Sequence, residues 1–192
     1  HVSEDALKLI NAFWPGPLTL VFKKDKSVLN DLTGGQDTVA IRAPSHPMAQ
    51  ELLRKFKGGV VAPSANRFGK VSPTSAADVR NEFEDILDLM ILDGGDCEVG
   101  IESTIIDMSS GDQAFLLRPG VITPKEIFTK TGIKVLQPGE LNLAAAESAE
   151  PTPRVSGSLR AHYAPTTPLR LYAPGRVLDA LSEFPVSYTH LT

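Results

Sequence analysis

Gly100-Ile101-Glu102-Ser103-Thr104-Ile105-Ile106-Asp107, followed by Ser109-Ser110-Gly111-Asp112 and then Ala114-Phe115-Leu116-Leu117-Arg118, decides the fold class. Two apolar runs of strand length joined by a polar, glycine-containing turn read as neighbours in one sheet. Residues 89–92, on the other side of Gly94-Gly95, are a further strand candidate, as are residues 18–22, 38–42, 59–62 and 134–136. Between them, residues 4–12, 48–56, 75–83 and 124–131 carry helical periodicity, with Ser3 and Ser75 as capping residues. Phe13-Trp14-Pro15-Gly16-Pro17 forbids helix and imposes a rigid turn ahead of residues 18–22. Helices and strands alternate irregularly. The expected fold is therefore α/β of the α+β type, with a twisted, mixed, largely antiparallel sheet and flanking helices.

The 192 residues, 42% of them hydrophobic, suffice for one domain with an ample core and exclude a disordered chain. Apolar runs such as Val60-Val61-Ala62 fall far short of the roughly 20 residues a membrane span needs, so no membrane association is expected. A single cysteine, Cys97, cannot close an internal disulfide, and no signal segment opens the chain, which points to the cytoplasm. The formal charge of -4 argues against a dedicated nucleic-acid binder but leaves room for a local basic patch. His1 followed by a helix start reads as a beginning inside a larger architecture. Composition divides the rest: residues 1–139 form the main domain, 140–167 an Ala-, Glu-, Pro- and Ser-rich linker, 168–185 the start of a second domain, and 186–192 a cloning scar.

His1, His46, His162 and His190 are scattered, none at zinc spacing with Cys97, and neither a Walker loop nor a dinucleotide glycine fingerprint is present. No metal-ligating residue is expected. Polar residues at strand ends and in tight loops carry the candidate chemistry instead. In Pro63-Ser64-Ala65-Asn66, hydroxyl and amide groups on a stiff loop suit phosphate oxygens, although the same residues are ordinary turn formers. Arg42 ends a strand before Ala43-Pro44, where a guanidinium could clamp a carboxylate or simply face water. In Glu102-Ser103-Thr104, strand alternation sends one hydroxyl to each face, so one of Ser103 and Thr104 reaches a given ligand. Arg118 stands before the forced turn Pro119-Gly120 and suits a phosphate or nucleobase, or the solvent. Cys97 and His46 read as structural.

In order and wording these segments resemble the threonylcarbamoyl-AMP synthase family, the YrdC-like proteins. The resemblance rests on Phe13-Trp14-Pro15-Gly16-Pro17-Leu18-Thr19, Arg42-Ala43-Pro44, Ala62-Pro63-Ser64-Ala65-Asn66, Ser72-Pro73-Thr74, residues 100–107 and Leu117-Arg118-Pro119-Gly120. Pro153-Arg154-Val155-Ser156-Gly157-Ser158 with His162-Tyr163-Ala164-Pro165 looks like the connector of two-domain members. The resemblance implies a YrdC-like fold and a nucleotidyltransferase. Its substrates would be ATP, L-threonine and bicarbonate, with Mg2+ accompanying ATP, and its products threonylcarbamoyl-AMP and pyrophosphate for tRNA threonylcarbamoyladenosine formation. Partner proteins of tRNA modification and a weak tRNA contact are implied too. By the same resemblance Ser64, Asn66 and Arg118 would bind the nucleotide and Arg42 the threonine carboxylate. Ser103 or Thr104 would lie near threonine, and His162 and Tyr163 would close the site over the nucleotide. No protein nucleophile is needed for such chemistry, only two anions held in line.

The family's Lys-x-Arg motif has no counterpart here, and Lys23-Lys24-Asp25-Lys26 is not a substitute. The expectation is little or no synthase turnover from this polypeptide alone. Two other readings remain: a module that binds double-stranded RNA or tRNA, weakened by the acidic balance, and a carbamoyltransferase-like domain using carbamoyl phosphate.

Overall fold

The computed structural model describes residues 2–111, 113–137 and 153–155. The proposed linker, second domain and terminal scar lie almost wholly outside them. Helix α1 (Glu4–Phe13) starts at Ser3, whose hydroxyl accepts from the Ala6 amide at 3.2 Å, with Glu4 and Asp5 in its positive first turn. Ala6, Leu9 and Phe13 form its buried stripe. The chain then turns through Trp14-Pro15-Gly16-Pro17, with a cis Trp14–Pro15 bond. The Trp14 indole donates to the Leu18 carbonyl at 2.7 Å, and the Gly16 amide donates to the Ala43 carbonyl at 2.8 Å. A Cβ on Gly16 would stand 2.4 Å from the Phe13 carbonyl oxygen, so only glycine allows this approach.

Strand β1 (Leu18–Lys23) is the hub of a five-stranded sheet in the order β2-β1-β3-β4-β5, where β2 is Thr38–Ile41, β3 Thr104–Asp107, β4 Ala114–Arg118 and β5 Val135–Leu136. Among the described residues β1/β2 and β3/β4 pair antiparallel, while β1/β3 and β4/β5 pair parallel. The sheet is mixed as expected, but evenly so rather than largely antiparallel. The reason is the pairing of β1 directly with β3, far along the chain, and of β5 beside β4 after the crossover helix α5 (Pro124–Thr131).

Register assigns the two faces. Leu18 pairs with Thr104 and Leu20 with Ile106, so Leu18, Leu20, Thr104 and Ile106 share one face. Leu18, Leu20 and Ile106 join Met108, Ala114, Leu116 and Val135 in a core with Ala6, Leu9 and Phe13 of α1 and Ile127 of α5. Helix α5 is capped by Thr123 at one end and by Gly132 at φ 75° at the other. Thr19 pairs with Ile105, and Ile105 with Arg118, so these lie on the opposite face.

The middle of the chain is built differently. Helices α2 (Asn30–Thr33), α3 (Pro47–Phe56) and α4 (Ala76–Glu82) bury no residue. Polar ties hold them. His46 caps α3, accepting from the Met48 amide through Nδ1 at 3.2 Å, and its Nε2 then donates to the Gly94 carbonyl at 3.1 Å. Ser75 and Asp78 form a capping box on α4. Arg67 donates to Glu82, pairs with Asp85 and lies 5.4 Å from the centre of the Phe83 ring.

Three strand expectations change here. Residues 59–62 form no strand, and Val61 is 64% exposed; an apolar run alone does not define a ladder partner. Residues 89–92 also remain outside the sheet, and residues 100–103 precede β3 as irregular chain. The short helix α2 was not expected; it is closed by Gly34 in the left-handed region at φ 58°.

Candidate active site

The face of the sheet away from α1 and α5 opens into a cavity of about 760 Å³. Arg42, Ser64, Ser103 and Arg118 all line it, together with Ser72 and Glu102. Four separate segments thus converge: the end of β2, the loop after residue 62, the approach to β3 and the end of β4. Parity explains Arg42. It follows Ile41, the partner of Leu20, and shares parity with Ala40, the partner of Val21 on the cavity face.

Ser103 and Thr104 separate as alternation requires. Ser103 lines the cavity. Thr104 is fully buried on the core side, its hydroxyl donating to the Ile122 carbonyl at 2.8 Å and accepting from the Ile122 amide at 3.2 Å. That hydroxyl braces the turn after β4. Gly120 lies in this turn so tightly that a Cβ would meet the Thr104 nitrogen at 2.4 Å and the Glu102 carbonyl oxygen at 2.7 Å.

Arg118 is a bracket as well as a charge. Its Nε and Nη2 donate to the Ser103 carbonyl at 3.1 and 3.0 Å, and Nη2 also reaches Ser103 Oγ at 3.1 Å. Glu102 lies 3.7 Å from the same guanidinium, whose side chain is only 11% exposed. The other Glu102 oxygen accepts from the Ser72 hydroxyl at 2.7 Å. Charge-assisted bonds of this kind fix the approach to β3 before any ligand arrives.

Asn66 takes a different place from Ser64. It is outside the lining; its amide nitrogen donates to the Arg67 and Lys70 carbonyls at 2.9 and 3.2 Å, while Ser72 approaches its oxygen at 3.3 Å. Asn66 therefore closes the loop that presents Ser64 and Ser72. His162 and Tyr163 lie outside the described residues. Of the connector only residues 153–155 are described: the Arg154 amide donates to Gln36 Oε1 at 2.6 Å, and Gln36 Nε2 donates to the Arg154 carbonyl at 3.1 Å.

Sequence reasoning did not single out Ser72, Glu102 or Thr19 as site residues. Ser72 and Glu102 stand inside quoted motifs, and their pairing across thirty residues has no local signal. Thr19 has one: it is the lone hydroxyl in Leu18-Thr19-Leu20-Val21. Cys97 is exposed and lines the cavity rim. Among the described residues no group of three or more His, Cys, Asp or Glu could hold a metal ion, and no helix is long and apolar enough to cross a membrane.

A family model described as Sua5_yciO_yrdC, telomere recombination, matches residues 1–120. A threonylcarbamoyl-AMP synthase of Pyrococcus abyssi is 40% identical over 166 residues, covering 86% of this chain and 47% of that protein. One from Bacillus subtilis is 37% identical over 184 residues, covering 94% of this chain and 51% of its own. The crystal structure of P. abyssi Sua5 complexed with L-threonine superposes with a TM-score of 0.65 at 38% identity, covering 91% of this chain and 46% of that one. The chain spans about half the length of the curated relatives it matches.

Proposed function

Since this chain belongs to the Sua5/YciO/YrdC family, we propose that it is the catalytic part of an L-threonylcarbamoyladenylate synthase, a nucleotidyltransferase of the cytoplasm. One observation carries the reading: Arg42, Ser64, Ser103 and Arg118, far apart in sequence, line one cavity. The relative solved with L-threonine and the relatives named as threonylcarbamoyl-AMP synthases support the choice of substrate.

In this reaction the threonine nitrogen attacks bicarbonate-derived carbon dioxide, giving a carbamate and releasing a proton. A carbamate oxygen then attacks the α-phosphate of ATP, and pyrophosphate leaves. Arg42 holds the threonine carboxylate, and Ser103 holds the threonine-derived group. Ser64 donates to the nucleotide phosphates, while Asn66 keeps that loop closed. Arg118 faces the nucleotide, its charge offsetting what develops on phosphorus. No side chain acts as a nucleophile. Thr104 supports the turn from the core side. His162 and Tyr163 would cover the nucleotide and exclude water.

Mg2+ enters with ATP. The lining offers one carboxylate, Glu102, already engaged by Ser72 and Arg118, so the described residues do not form a protein cage for the ion. Such ions often keep waters and phosphate oxygens as ligands.

The test is ATP-dependent pyrophosphate release. The proposal expects release that requires both L-threonine and bicarbonate, followed by transfer of the product to tRNA when partner proteins are added. Release sustained by carbamoyl phosphate instead would favour carbamoyl transfer. Steeply salt-dependent tRNA binding with no nucleotide turnover would favour an RNA-binding module.

A further inference from the structure

Thr19 lies beneath the cavity rather than in its lining, and its Oγ1 is 2.7 Å from Ser103 Oγ. Both residues are more than nine-tenths buried, Thr19 at 9% and Ser103 at 6% exposure, so water competes little for this bond. A serine hydroxyl has one proton to give and two lone pairs to fill. One direction is fixed. Arg118 Nη2 stands 3.1 Å from Ser103 Oγ, and a guanidinium only donates, so Ser103 accepts there.

The Thr19 contact runs either way. With Ser103 donating to Thr19, a Ser103 lone pair faces the cavity. With Thr19 donating, both Ser103 lone pairs are filled and its proton points into the cavity. An anionic oxygen in the cavity repels the first arrangement and accepts a bond from the second. Thr19 is thus the group whose rotation decides what Ser103 presents.

We propose that Thr19 is a positioning residue that turns the Ser103 hydroxyl into a hydrogen-bond donor toward an anionic oxygen of the amino-acid-derived ligand. The proposal rests on the threonine reading above. It also accounts for a hydroxyl in a strand whose neighbours, Leu18, Leu20 and Val21, are apolar and buried. Valine would fill the same volume and suit the strand equally well. It would leave Ser103 to pair with Arg118 alone and to present proton or lone pair without preference.

Isothermal titration of the whole chain with L-threonine, in the presence of a non-hydrolysable ATP analogue, tests this. Thr19→Val should weaken L-threonine by about tenfold, the loss of one polar contact in a buried site, while the ATP-analogue affinity and the thermal midpoint stay close to wild type. Thr19→Ser should restore the threonine affinity. In a Ser103→Ala background Thr19→Val should add nothing, because Thr19 acts only through Ser103. If the valine variant folds poorly, Thr19→Cys keeps a weak donor and should give an intermediate loss. Unchanged threonine affinity in Thr19→Val, equal losses for threonine and nucleotide, or additivity with Ser103→Ala overturns the inference alone. A wild-type chain that binds the nucleotide but takes up no L-threonine overturns the substrate reading, and this inference with it.

Discussion

The two halves of the described chain are held by different forces. In α1, β1, β3, β4, α5, β5 and their connections lie all the buried apolar residues, from Ala6 to Val135. Between residues 24 and 102 none is buried, and Leu87, Met90 and Phe68 are among the exposed apolar side chains. That middle region relies on caps, backbone ties and ion pairs such as Arg67–Asp85 and Arg80–Asp93. Burial is worth about 25 cal/mol per Å² and accumulates, whereas an exposed ion pair contributes about 0–1 kcal/mol. The cavity lies on the seam. Ser103 and Arg118 come to it from the apolar half, Arg42, Ser64 and Ser72 from the polar half. One wall is fixed by packing, and the other is fixed by hydrogen bonds to it.

The largest contrast should appear on truncating matched leucines. Leu20→Ala, at a fully buried site, should cost about 2–5 kcal/mol, while Leu87→Ala, 95% exposed, should stay within about 0.5 kcal/mol. Denaturant midpoints measure both, and similar losses would erase the distinction between the halves. Next in size is Gly120→Ala. Its Cβ would press on the backbone of Glu102 and Thr104, so a loss of about 1–3 kcal/mol and a weaker ligand site are expected. Gly59→Ala meets nothing within 4 Å and is the control by thermal melting.

Smaller is the effect of Ser64→Ala, which should weaken an ATP analogue by about fivefold with an unchanged midpoint, since Ser64 is exposed and lines only the cavity. Smallest is an acid effect confined to α4. The Ser75 side chain, then the Thr74 amide, bond the Asp78 carboxylate and hold its pKa below the ordinary 3.8. A depressed folded value means the cap contributes fully above 3.8 and is lost as pH falls through the lower folded value. Amide exchange at residues 75–79 should rise in that window while exchange in β1 and β3 does not.

Legibility in the sequence follows the same division. Helices α1, α3, α4 and α5 and strands β1, β2 and β4 were readable to within a residue or two, because caps such as Ser3 and Ser75 and the turn at residues 14–17 are local signals. Residues 59–62 and 89–92 were not, since whether an apolar run becomes a strand depends on a partner that local pattern does not encode. In the site, Arg42 and Arg118 were legible as arginines at strand ends, and alternation foretold that Ser103 and Thr104 would part. That Arg118 bonds the Ser103 carbonyl, and that Thr19 bonds its hydroxyl, depends on the pairing of β1 with β3 and of β3 with β4. Such contacts are products of register.

The most direct test is amide chemical-shift mapping of the whole chain on adding an ATP analogue and then L-threonine. A shared site on the seam predicts shifts at Ser64 and Ser72 in the polar half together with Ser103 in the apolar half, and a further change near Arg42 when threonine enters. Shifts confined to one half, or centred on the separate groove lined by Lys8, Thr131 and Lys134, would contradict it.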